Sequence, residues 1–157
     1  MKVVIYKLEQ FKDSIKEISP MMRWLQEANM EQFGVTFDLD VFLTDIQRLI
    51  KDENSDLLVL MDNDKPVGWM GILRFSSPLG KQNWANEHYW YVSPEKRGMG
   101  SMMLFDAAKD WAKQKGCTHL IMNASMMASS LHDKVCTFYD RLGMKKFETS
   151  YISEIEV

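Results

Sequence analysis

Apolar residues along this chain recur in two rhythms, every third or fourth position in some stretches and every second in others. Residues 3–8 form a short β-branched and aromatic run, which predicts a first strand. Residues 13–18 follow, and Ser19-Pro20 then reads as the start of a helix. Proline is tolerated at the first helical position, and a serine oxygen can accept one of the orphan amides there. Met22, Leu25 and Met30 are expected to face inward from it. Asp38-Leu39-Asp40 offers a second cap, after which Phe42, Ile46, Leu49 and Ile50 fall on one helical face. Helical segments rich in Asp and Glu thus fill residues 13–53.

The rhythm changes at Asp56. Residues 57–61 are the unbroken apolar run of a buried strand, and Asp62-Asn63-Asp64-Lys65 is turn chemistry. Val67, Trp69, Gly71, Leu73 and Phe75 then alternate, so the two runs predict a hairpin. Residues 76–86 read as a loop, with Pro78, Gly80 and several amides, and residues 87–92 as a third strand ending at Ser93-Pro94. A glycine loop leads into a helix on which Leu104, Ala108 and Trp111 share a face, flanked by Phe105 and Ala112 and stopped by Gly116. Residues 119–124 read as a strand, 134–142 as a helix closed by Gly143, and 146–155 as closing strands. The order β, α, α, three strands, α, β, α, β predicts a mixed α/β fold around one sheet.

Composition narrows the picture. A chain of 157 residues fits one domain, 1–157, and 46% apolar with 26% charged residues can bury a core. A net charge of −3 argues against broad binding to a nucleic-acid backbone. No apolar run could span a bilayer, and Lys7 restores charge too early for a secretory segment. Two cysteines, Cys117 and Cys136, are too few for a disulfide framework or a four-ligand zinc site. They are expected to be reduced thiols in a cytoplasmic protein, and neither has an evident nucleophile's partner.

The candidate chemistry lies in Tyr89-Trp90-Tyr91-Val92-Ser93-Pro94-Glu95-Lys96-Arg97-Gly98-Met99-Gly100-Ser101. The run goes from strand through a glycine loop into a helix. Converging loop amides and the positive end of the helix make an anion cradle. No Lys follows Gly100, so this is not a P-loop, and Met103 stands where a dinucleotide fingerprint needs its third glycine. Farther on, Phe138-Tyr139-Asp140-Arg141-Leu142-Gly143-Met144 puts a tyrosine four residues before a helix-ending glycine.

With "PVGWMGI" on a strand, "YVSPEKRGMG" entering a helix and "FYDRLGM" on the last helix, the chain resembles the GNAT (Gcn5-related N-acetyltransferase) superfamily. The resemblance covers nearly the full chain. It implies a mostly antiparallel mixed sheet flanked by about four helices, the acyl-CoA N-acyltransferase fold. It also implies acetyl-CoA as co-substrate without a metal, and a primary amine as acceptor. The strand before the loop would splay from its neighbour at a bulge, with backbone groups of Tyr91 and Val92 meeting the pantetheine arm. Amides of Arg97, Gly98, Met99, Gly100, Ser101 and Met102 would hold the pyrophosphate. Tyr139 matches the residue that protonates the departing thiolate; an ordinary tyrosine pKa of about 10 keeps it protonated at neutral pH.

Two departures stand out. Read from Pro94, Met102 replaces the final small residue of the family's P-x-x-[QR]-G-x-G-x-[GA]; read from the helix, the loop is two residues short and Glu95 replaces the usual Gln or Arg. Both registers leave Gly98 and Gly100 in the cradle. The connection 125–133 is longer than usual, with His132 near a place where the family often has Asn.

The family often takes its base from the strand leading to the loop. Glu87 matches by position, and its neighbour His88 is the alternative, since adjacent strand residues point to opposite faces. If the strand is regular, residues 87, 89 and 91 share a face; a bulge near Tyr91 or Val92 would break that. Trp69, Trp84, Trp90, Tyr89 and Tyr91 line a cleft or pack the sheet. Glu27, Glu31, Asp38, Asp40 and Asp45 form an acidic wall for a cationic amine, or are caps and solvated faces. Acceptors consistent with this reading are a small cationic amine, a protein amine or an aminated nucleobase. A homodimer is a further expectation from the family. The alternative function is an acyl-CoA-binding sensor without catalysis.

Overall fold

A computed structural model describes residues 1–14, 24, 28, 30–128 and 130–156. The expectations for Ile18, Ser19, Pro20, Met22, Leu25 and Glu27 lie outside these residues. The elements are β1 (Lys2–Ile5), α1 (Leu8–Ser14), a 3-10 turn (Glu31–Phe33), α2 (Leu39–Lys51), β2 (Ser55–Asp62), β3 (Lys65–Ser76) and β4 (Asn83–Val92). A second 3-10 turn (Pro94–Lys96), α3 (Met99–Gln114), β5 (Cys117–Ile121), a third 3-10 turn (Met126–Ala128) and α4 (His132–Arg141) complete them.

The strands form one five-stranded sheet in the order β1-β2-β3-β4-β5. All neighbours are antiparallel except β4 and β5, which run parallel. The sheet is mixed and mostly antiparallel, and the described residues include four α-helices, as the resemblance implied.

Each face carries its own core. On one, the α2 stripe of Phe42, Ile46 and Leu49 meets Leu57, Val59, Trp69 and Tyr91. On the other, Leu104, Ala108 and Trp111 of α3 meet Leu58, Leu60, Met70, Ile72 and Val92. The alternation of β2 thus feeds both cores, which explains its unbroken apolar run. Helix α2 starts at the expected cap, where the Val41 amide donates to Asp38 Oδ1 at 3.0 Å. The β2–β3 hairpin turns at Asn63 and Asp64, whose φ values of 47° and 64° are the left-handed pair a two-residue loop requires.

Boundaries shifted where partners decide them. β1 stops at Ile5, and Tyr6 goes into the α2-side core as α1 begins at Leu8. Residues 83–86, expected in a loop, belong to β4 because they pair with Leu73, Arg74, Phe75 and Ser76. β5 starts and ends earlier than residues 119–124 suggested. The closing strands expected over 146–155 are absent: residues 144–156 carry no strand, and Tyr151 and Ile155 are 94% and 81% exposed. β propensity makes a strand only against a partner; Phe147 makes a perpendicular ring contact with Trp84, 5.8 Å between centroids, but no ladder forms.

α3 lies close against the sheet at its first turn. A Cβ on Gly100 would stand 2.7 Å from Leu60 Cδ2 and 3.3 Å from Val92 Cγ1. Gly100→Val is expected to cost about 1–3 kcal/mol by overpacking, measured as a lower urea midpoint at unchanged slope.

Candidate active site

The parallel β4–β5 ladder is short. It joins Asn83, Trp84, Ala85 and Asn86 to Cys117, His119, Leu120 and Ile121, and then the strands part. Just beyond, Gly71 pairs with Tyr89 and Ile72 with Glu87, which leaves His88 as the extra residue of a bulge. The bulge sits at His88 rather than near Tyr91 or Val92, and it reverses the face parity. Glu87 takes the side of its partner Ile72, in the α3-side core, with Ala85, Trp90 and Val92. Tyr89 and Tyr91 take the α2 side. Residues 87, 89 and 91 therefore do not share a face.

Glu87 is 5% exposed. Its Oε2 accepts the Asn123 main-chain N–H at 3.0 Å, and Asn123 Nδ2 donates to the Glu87 carbonyl at 2.6 Å. Burial pushes the carboxyl up to about 7, against the lowering effect of the Asn123 donors. Tyr139, on α4, donates its hydroxyl to the Asn123 carbonyl at 2.8 Å. Its ring stacks on Trp90, 6.1 Å between centroids and 20° between planes. Burial first, then the negative charge of Glu87, drives the phenol pKa upward, so the proton stays on oxygen. Glu87 and Tyr139, predicted separately, are thus bonded to one residue at the mouth of the splay. Asn123 itself carried no signal in the sequence, because its position depends on where β5 stops pairing.

His88 is on the other side. Its Nε2 lies 3.0 Å from Asp45 Oδ2, which also accepts the Tyr89 hydroxyl at 2.8 Å. Burial raises the Asp45 pKa, but bonds from Arg48, Tyr89 and His88 outweigh it and hold the carboxyl below its usual range. Of the expected acidic wall, Asp38 is a helix cap and Asp45 is fully engaged. Glu31 and Asp40 are exposed.

The glycine loop supplies donors. Gly98, at φ +85°, precedes α3, and no side chain caps the helix. An L side chain is strained at that φ, which is a reason for glycine. The amides of Met99, Gly100 and Ser101 have no acceptor inside the helix by its geometry. Met102 N–H donates to the Gly98 carbonyl at 3.0 Å, so it leaves the expected donor set. Gly100 turns its Cα toward Leu60 and Val92, whereas nothing lies within 4 Å of a Cβ built on Gly98. Lys96 Nζ pairs with Asp62 Oδ2 at 2.6 Å. Arg97 Nε donates to the Val92 carbonyl at 3.0 Å, with its guanidinium 5.7 Å from the Tyr91 ring centre.

The open edge of β4 can be read from one bond. Ser93 N–H donates to the Val67 carbonyl of β3. By the two-residue period, the backbone of Tyr91 also faces β3, and that of Trp90 and Val92 faces the side β5 has left. Trp90 therefore stands where Tyr91 was expected.

Other expectations resolve in packing. Trp69 and Tyr89 form a ring cluster with Phe42 and Trp24. Cys136 does have a histidine neighbour: His132, one helical turn earlier, puts Nε2 3.8 Å from its Sγ. Its spacing of four on a helix was the signal for it. Among the described residues no group of three or more His, Cys, Asp or Glu could hold a metal ion, and no helix is long and apolar enough to cross a membrane.

A splayed parallel pair beside a glycine-started helix, on a mostly antiparallel sheet, defines the acyl-CoA N-acyltransferase class of fold. Solved structures agree. The chain superposes on ribosomal-protein-alanine N-acetyltransferase from Brucella melitensis biovar Abortus 2308 with a TM-score of 0.71, at 16% identity over 99% of this chain and 100% of that one. Aminoglycoside 6'-N-acetyltransferase from Acinetobacter haemolyticus gives 0.70 at 16% identity, covering 100% of this chain and 99% of that one. An aminoglycoside acetyltransferase from an uncultured soil metagenomic sample, in complex with sisomicin, gives 0.71 at 14%, covering 99% and 96%. No curated protein matches the sequence. The model of the acetyltransferase (GNAT) family matches residues 18–144. The chain belongs to the acetyltransferase (GNAT) family.

Proposed function

We propose that this protein transfers the acetyl group of acetyl-CoA to a primary amine, with Glu87 as general base and Tyr139 as general acid. The observation that carries the reading is the convergence of both side chains on Asn123 where β4 and β5 part. Amine attack on a thioester needs a neutral nucleophile and a protonated leaving group. A carboxyl near 7 accepts a proton at working pH, directly or through water, and a phenol that keeps its proton can give it to the thiolate. The acetyl group comes from acetyl-CoA; the chain's own residues bind and orient it. Backbone groups of Trp90 and Val92 would pair with the pantetheine arm, and Gly98, Met99, Gly100 and Ser101 would receive the pyrophosphate on their amides, with Arg97 beside them. The acceptor is a primary amine; small cationic amines are the first class to assay.

The cradle has a clean test. Met99, at the first helical position, is 69% exposed. Met99→Glu places a carboxylate where it favours the helix dipole yet repels a diphosphate. Thermal stability should hold or rise, while CoA affinity falls roughly tenfold, equivalent to about 1.4 kcal/mol. Isothermal titration calorimetry with CoA reads this; unchanged affinity in the folded variant removes the helix start from the site. Gly100→Glu is a poorer probe, because its side chain would enter the core beside Leu60. For the activity itself, thiol release from acetyl-CoA is followed across a panel of amines including spermidine. Absence of turnover with every amine, alongside tight CoA binding, would contradict an acetyl transferase.

A further inference from the structure

Beyond residue 121 no ladder holds β5 to β4, yet the two groups of the proposed acid–base pair need a fixed distance across that gap. Residues 122–125 carry no helix or strand. Hydrogen bonds of Asn123 tie this segment to β4. Asn123 Nδ2 donates to the Glu87 carbonyl at 2.6 Å and to Asn86 Oδ1 at 3.2 Å, adding one more rung after the backbone ladder has ended. With Asn123 so fixed, its main-chain N–H meets Glu87 Oε2 at 3.0 Å and its main-chain carbonyl meets the Tyr139 hydroxyl at 2.8 Å.

We propose that Asn123 is the positioning residue of this site: its side-chain amide staples the splayed strands, so that its N–H orients the Glu87 carboxylate and its carbonyl orients the Tyr139 hydroxyl. This rests on the reading of Glu87 as base and Tyr139 as acid. The chemistry requires an amide. Two hydrogens on one nitrogen serve two acceptors, the Glu87 carbonyl and the Asn86 side chain. Aspartate has the same shape but would turn oxygen toward both, and alanine leaves both without the donor. Among the described residues, the hydrogen bond to the Glu87 carboxylate comes from Asn123. The β3 and α3 core on its face contributes Ile72, Leu104 and Ala108, all apolar. From α4 come the Tyr139 phenol, the Cys136 thiol and His132 beside it. Asp45, His88 and Arg48 form their cluster on the α2 side of β4.

The test is titration of the Glu87 carboxyl by carbon-13 NMR in protein labelled at glutamate, free of substrates, with the resonance assigned by its loss in Glu87→Gln. In wild type it should titrate near 7. In Asn123→Ala, loosening of the N–H bond should raise it by roughly a unit. In Asn123→Asp, the added like charge should raise it further. Asn123→Asp keeps the native shape and carries the test should Asn123→Ala fail to fold. Wild-type titration in both variants overturns the positioning role. If that happens while Glu87→Gln has lost thiol release, the catalytic reading survives and only the inference falls. If the titration moves but Glu87→Gln turns over normally, Asn123 does position the carboxylate and the base lies elsewhere.

Discussion

Tyr139→Phe is expected to lower turnover by about 10²–10⁴-fold, the contribution of one general acid, with CoA affinity changed little. The ring stays on Trp90 and keeps its stacking, so only the hydroxyl is lost. With it goes the 2.8 Å bond to the Asn123 carbonyl, which should lower stability by about 1 kcal/mol. Rapid-quench measurement of acetyl transfer, beside equilibrium binding of CoA, separates chemistry from affinity. Wild-type turnover at every pH would assign leaving-group protonation to water.

The second large effect belongs to Glu87→Gln, which keeps shape and an acceptor for the Asn123 N–H but removes the basic site. kcat/KM of the wild type should rise with pH through an acid limb near 7, the folded pKa of this carboxyl. The variant should lack that limb, fall well below wild type at neutral pH, and recover as pH rises and more amine is neutral. If His88→Gln rather than Glu87→Gln abolishes the rate, the base is His88.

Stability should move the opposite way. The carboxyl sits at about 7 in the folded chain against an ordinary 4.5, so between those values the folded state holds a proton the unfolded chain has released. That contribution is complete below about 4.5 and is lost as pH rises through 7, where the buried site must ionise. Glu87→Gln avoids the buried charge. Above pH 7 it should therefore be more stable than wild type by on the order of 3 kcal/mol, and near pH 4 equal to it. Urea midpoints at the two pH values measure the difference. A variant both more stable and less active is the signature of a carboxylate kept for chemistry rather than for folding.

Side-chain periodicity along the chain determined the two-sided sheet, the α2 and α3 stripes, the hairpin turn and the glycine start of α3. All of these depend on residues within a few positions of one another, and a period of two or 3.6 is a local property. The separate candidacies of Glu87 and Tyr139 were legible through motif resemblance. Tertiary structure alone decided the rest. Pairing with β3 put the bulge at His88, and one extra residue moved Glu87 to the Tyr139 side and left His88 with Asp45. The end of the β4–β5 ladder brought in Asn123, 36 positions from Glu87 in sequence. Residues 146–155 have the composition of strands but no partner, and so form none. Which backbone groups pair, and where pairing stops, is set by contacts between distant segments, and no local pattern of apolar and polar residues encodes it.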